Sequence, residues 1–250
     1  MCIRDRCKDV DPAEIMHAEQ ELLREGTSIE ELQRLCDVHS ALFHGSATDA
    51  QKLHAKDIQD QRLSAAAALI QISGHPLQTF TLENAALEKL IARAKQVLEN
   101  GTINDGSLNE LRQIAIHYAR KGDLLYPHLK VQYGISGPSA VMWTVDDEIR
   151  DELNALAKQK DQKETDAWKQ RLNAVLTRME EMIYKESNIL FPNCALNFSE
   201  EEWYHIYRDA KDYAECFGIR GDSWEAAEAH LTDTASTADT LSVEHAFADG

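Results

Sequence analysis

His117-Tyr-Ala-Arg-Lys-Gly-Asp-Leu-Leu-Tyr-Pro127 and Met182-Ile-Tyr-Lys-Glu-Ser-Asn-Ile-Leu-Phe-Pro192 decide the fold. Both stretches end in two aliphatic residues, an aromatic and a proline at the same spacing. The first copy carries a histidine ten residues before its proline, with Lys121 four residues after it. The second has Glu186 at the position of Lys121, and Met182 where the first has its histidine. Two similar helix ends in one chain predict a duplicated helical hairpin. A histidine in one and an acid in the other, at comparable depth, predict a metal site inside a helical bundle.

Four amphipathic helices extend outward from these ends. Leu87, Leu90, Ile91, Ala94, Val97 and Leu98 recur at helical spacing after Gly74-His75-Pro76, and Asn100-Gly101 stops them. Ser107 is expected to cap the next helix, with Leu108, Leu111, Ile114, Ala115, Tyr118 and Leu125 on its stripe. Gly134–Pro138 breaks it. A third helix carries Met142, Val145, Ile149, Leu153 and Leu156. A fourth carries Leu172, Val175, Leu176, Met179, Ile183 and Leu190 and is expected to end at Pro192. Short links between long helices make antiparallel neighbours, hence an up-down four-helix bundle and an all-α fold class. Ser199 with Glu202 forms a capping box for one more short helix.

Before the bundle, Asp11-Pro12 and Ser28 with Glu31 start two helices of a hairpin that carries Cys36, His39 and His44. Ala47–Ser73 reads as a helical connector. Met1–Arg6 translates back onto a sequencing-library adapter and is set aside. The resulting division is 1–6 adapter, 7–68 N-terminal helical domain, 69–217 bundle, and 218–250 acidic linker or tail. The chain is expected to be truncated at both ends.

With 43 acidic against 26 basic residues, the net charge of −17 excludes nucleic acid as a partner, since phosphate binding needs clustered Lys and Arg. No apolar run approaches the ~18–20 residues of a membrane span. The five cysteines form no Cys-x-x-Cys and read as reduced thiols of a cytoplasmic protein.

At ~100° per residue, polar side chains intrude on the apolar stripes. Glu186 lies between Met179, Ile183 and Leu190, and Glu83 among Phe80, Leu87 and Leu90. Asp146 stands at the edge of the third stripe and His117 on the flank of the second. A buried, unpaired carboxylate costs several kcal/mol, so such groups need a metal, a histidine or a raised pKa. Glu, Asp and His from facing helices suit non-haem iron or manganese. Lys121, Asp123 and His128 are expected at the surface, and Trp143, Trp168 and Trp203 as core or interface anchors.

Gly74-His75-Pro76, the two helix ends, and Val141-Met142-Trp143-Thr144-Val145-Asp146-Asp147-Glu148-Ile149-Arg150 resemble the hemerythrin-like HHE cation-binding domain. Leu35-Cys36-Asp37-Val38-His39-Ser40-Ala41-Leu42-Phe43 resembles the helical domain of unknown function (DUF438 type) that precedes it in one subfamily. The resemblance implies non-haem iron, mono- or dinuclear. Its ligands would be His75, His117, Asp146 and Glu186, with Glu83 in or beside the shell. Gln78, Lys121, Gly122 and Met182 depart from the family's ligand pattern, which points to a reduced site or none.

The resemblance further implies a PAS-type sensory domain after the tail and a small diatomic ligand. The expected function is a metal-binding regulatory module sensing oxygen, nitric oxide or redox state. Its alternative is a metal-free helical scaffold or interaction module with a degenerate site. An enzyme is disfavoured, because neither a general base nor a substrate pocket is legible.

Overall fold

A computed structural model describes residues 49–101, 103–133, 137–163 and 165–233. The N-terminal hairpin with Cys36, His39 and His44, the first six residues, and the tail after 233 lie outside the described residues. Within them the elements are helical, and the one β-bridge, Cys216 to Ile219, belongs to no strand.

Helix α1 spans Asp49–Ile70, where a connector was expected, and α2 spans Pro76–Asn100. The second arm of the bundle is broken into α3 (Asp105–Arg112), α4 (Ile114–Leu124) and α5 (Tyr126–Val131). Asn104 caps α3, its side chain accepting from the Ser107 N–H, so the cap lies three residues before the expected Ser107. Proline at 127 has no N–H to continue the ladder, which places the break between α4 and α5 at Leu125. Helix α6 (Gly137–Lys158) forms the third arm and α7 (Asp166–Lys185) the fourth.

The fourth arm does not stop at Pro192. A π-turn over Glu186–Leu190 follows α7, with the Phe191 N–H donating to the Glu186 carbonyl five residues back. Helix α8 (Phe191–Asn197) then carries Pro192 in its first turn. The absent donor at 192 is tolerated there because the first N–H groups of a helix have no intrahelical partner.

The arms close into a ring. α2 packs on α3 and α7, and α6 packs on the same two from the opposite side. The core runs through Phe80, Leu87, Ile91, Leu111, Ile114, Ile149, Leu153, Leu172, Leu176 and Met179, the stripes read from the sequence, and adds Leu77. α1 lies against α8 and α2. Helix α9 (Glu200–Ala210) starts at the Ser199–Glu202 capping box and packs on α2 and α4. Trp168 and Trp203 are buried as expected, whereas Trp143 is 44 % exposed.

Residues 218–233, expected to belong to the acidic tail, lie against the bundle. Residues 225–233 are helical, and Trp224 and Ala227 join the core. Their close approach depends on Gly74, whose φ is +78° and whose Cβ position lies 2.5 Å from Ser223 C and Trp224 N. An L residue there would meet backbone in a conformation that glycine alone adopts freely. Local polarity hides such a contact, because a tryptophan and an alanine among acids carry no periodic signal.

Candidate cation centre

Helix α4 supplies three polar side chains to the interior. His117, Arg120 and Lys121 stand at i, i+3 and i+4, so they share one face. Helix α2 supplies Glu83 and Asn84, α6 supplies Asp146, α5 supplies Tyr126, and the π-turn supplies Glu186. Each of them is buried.

The hydrogen bonds form one closed network. His117 Nδ1 is 2.7 Å from Glu83 Oε2, and its Nε2 is 3.0 Å from Glu186 Oε2. Asn84 Nδ2 donates to the same Glu186 oxygen at 2.8 Å. Lys121 Nζ donates to Asp146 Oδ1 at 2.9 Å and to Glu186 Oε1. The Tyr126 hydroxyl donates to Asp146 Oδ2 at 3.1 Å. Arg120 donates to Glu83 Oε1 at 2.8 Å and to the Ala214 carbonyl at 3.2 Å. Every oxygen of the three carboxylates therefore accepts at least one protein donor.

The charges close as well. Glu83, Asp146 and Glu186 face Arg120, Lys121 and a His117 whose two ring nitrogens both meet carboxylates. Two acceptors require two N–H donors, which makes the ring an imidazolium. Burial alone would lower the pKa of His117, but Glu186 and Glu83 outweigh it and hold it at about 9. Burial pulls Glu186 up, yet Lys121 and His117 dominate and hold it at about 2. Burial raises Asp146 to about 6, with the nearby Glu186 charge acting the same way and Lys121 opposing. The Tyr126 hydroxyl is pushed up by burial and by Asp146, so it stays a donor.

Four of the expected ligands, His117, Glu83, Asp146 and Glu186, are thus brought together from four arms. His75 is not among their partners. It caps α2, its Nδ1 accepting from the Leu77 N–H at 3.1 Å, and its ring lies 4.7 Å from the ring centroids of both Trp203 and Trp224. Burial in that apolar slot lowers its pKa to about 3. Lys121 is the main correction: expected at the surface, it is 0 % exposed. Asp123 is exposed as expected, and His128 is half-buried.

Arg120, Asn84 and Tyr126 were not legible as site residues. The available signal was their position on the stripes: Arg120 and Lys121 follow His117 by three and four, and Asn84 stands beside Glu83. Lysine and arginine on a stripe usually carry their heads out to water.

As arranged, these residues do not fit a metal ion. An imidazolium has no lone pair to give. The space between Asp146 and Glu186 is taken by the ammonium of Lys121. Among the described residues no group of three His, Cys, Asp or Glu side chains is set to hold a metal. A small cavity of about 150 Å³, lined by Tyr118, Gly122, Trp143, Asp146, Asp147 and Arg150, reaches Asp146 from outside.

Comparison with known proteins agrees with the resemblance. The hemerythrin HHE cation binding domain family matches residues 75–194. A family of unknown function, DUF438, matches residues 3–49. No curated protein matches the chain.

Proposed function

Since residues 75–194 match the hemerythrin HHE cation binding domain family, we propose that the chain is a regulatory module, not an enzyme, organised around one cation position between Asp146 and Glu186. The observation that carries this is that Asp146 and Glu186, from two arms, both accept from the buried Lys121 ammonium, while His117 and Glu83 on the other two arms continue the network from Glu186. The reading against catalysis rests on the same network. With all six carboxylate oxygens and both imidazole nitrogens engaged, no side chain in it is free to take a proton from a substrate.

The reading predicts that Asp146→Asn and Glu186→Gln each destabilise the protein by about 3–5 kcal/mol, because each leaves the buried cations one negative charge short. Urea unfolding at neutral pH measures this. Losses below about 0.5 kcal/mol in both variants, the size of an ordinary surface change, would sink a cation-centred core.

A second reading is an iron-loaded form that senses oxygen, nitric oxide or redox state. The family match over residues 75–194 and the cavity reaching Asp146 favour it. It requires Lys121 to leave its place and His117 to lose a proton. Iron found by elemental analysis after aerobic and anaerobic preparation would support it. In either reading a PAS-type domain joined to the tail is the proposed partner and the cytoplasm the proposed compartment. The sequence resemblance supports the first assignment, and the free thiols of Cys194 and Cys216 support the second. No described helix is long and apolar enough to cross a membrane.

A further inference from the structure

We infer that the resident cation of this bundle is the chain's own Lys121 ammonium, which closes the HHE site against a divalent metal. The inference rests on the cation position proposed above and names what fills it.

Lys121 has three N–H donors and each has a place. Two go to Asp146 Oδ1 and Glu186 Oε1. The third side of the ammonium faces the Tyr118 ring, 4.2 Å from its centroid, a cation–π contact inside a desolvated pocket. A buried ammonium is tolerated only when paired and hydrogen-bonded in this way. The ammonium bridges carboxylates from two different arms, α6 and the π-turn, as a bound metal would.

The surrounding charges fit a monovalent cation and not a divalent one. Glu83, Asp146 and Glu186 contribute three negative charges. His117, Arg120 and Lys121 contribute three positive ones, so the cluster is neutral as it stands. Adding a divalent ion beside Lys121 would leave an uncompensated charge of two among buried side chains, which the interior does not tolerate. Exchanging Lys121 for the ion would mean moving its ammonium from the core to solvent past Tyr118 and Tyr126, whose rings flank it at 4.2 and 5.9 Å.

Sequence geometry supplies the reverse operation. Lys121 stands four residues after His117, and Glu186 four after Met182. Lys121→Glu replaces a cation by a carboxylate one turn from His117. It turns the local charge from zero to −2 and creates the deficit that a divalent ion would neutralise.

Full-length wild-type protein and Lys121→Glu are to be prepared identically, with elemental analysis and titration by Mn(II), Fe(II) and Zn(II) salts. The expected result is wild-type protein with no stoichiometric metal and no saturable binding, and a variant that takes up a full equivalent. A second measurement needs no variant. Amine-modifying reagent, followed by mass spectrometry, should leave Lys121 unlabelled in native wild-type protein whether or not excess Mn(II) is present.

Stoichiometric metal in the wild type, or Lys121 becoming reactive when metal is added, overturns the inference while leaving the cation position intact. A folded Lys121→Glu protein that binds no metal overturns it too. Loss of the cation position itself shows separately, as indifference of stability to Asp146→Asn and Glu186→Gln.

Discussion

His75 and His117 are both fully buried, both sit on the interior of the same bundle, and both were expected to ligate a metal. They end in opposite chemical states. His75 lies between two indole rings with one backbone donor for company, and burial drives its pKa to about 3. His117 lies between two carboxylates and is held at about 9 despite the same burial. Desolvation sets the direction only where no opposite charge is near. Where two carboxylates are within hydrogen-bond reach, they outweigh it. At neutral pH one ring is therefore a neutral cap and the other a cation.

Breaking the contrast at His117 has the largest expected effect. His117→Leu leaves Glu83 and Glu186 each short of a charged donor, and stability should fall by about 3–5 kcal/mol, read by urea unfolding. A loss no larger than that of a surface substitution would show that the ring is not an ion-pair partner.

The pH dependence comes next, and its two sides have opposite signs. The folded pKa of His117 is raised above 6.5, so its contribution is full below pH 6.5 and is lost as pH rises through about 9. The folded pKa of His75 is depressed, so its contribution is full above pH 6.5 and is lost as pH falls towards about 3. The alkaline side is on the order of 3 kcal/mol and the acid side on the order of 5 kcal/mol. Asp146, raised to about 6, offsets part of the acid side between pH 6 and 3.8. Thermal unfolding from pH 5 to 9 should show a maximum near pH 6.5, and His117→Leu should abolish the alkaline slope alone.

Smaller effects sharpen the picture. Tyr126→Phe removes one donor from Asp146 and should cost about 1.5–3 kcal/mol, as a hydrogen bond to a charged group does. It should also move the Asp146 carboxyl above about 6, measurable by carbon-13 NMR titration. His75→Asn keeps a capping side chain before Pro76 and should cost about 1 kcal/mol. It should remove the loss of stability on the acid side, leaving the opposite Asp146 contribution there, and leave the alkaline slope untouched.

The bundle was legible because its signal repeats. Leu87, Ile91, Leu111, Ile114, Ile149, Leu153, Leu172 and Leu176 each lie on a 3.6-residue period that only a helix satisfies, and all are buried. Half of the site was legible for a related reason: an acid among apolar residues, such as Glu83 or Glu186, stands out against its stripe. Its partners did not. Lys121 and Arg120 carry long stems that serve equally well to reach water or to reach across a core, and spacing does not distinguish the two. The π-turn at Glu186 was invisible because one wider turn shifts the phase of everything after it without altering composition. Trp224 was missed because its contact depends on a distant glycine.

That glycine has a stereochemical consequence. At position 74 the backbone of 222–224 passes where a methyl group would stand. Any L residue there must push Trp224 away from the face of His75 and admit water to the ring. The imidazole would then titrate nearer to its ordinary value of 6.5, visible as a shifted midpoint in proton NMR. A single carbon atom, absent from residue 74, thus keeps its neighbour at position 75 electrically silent.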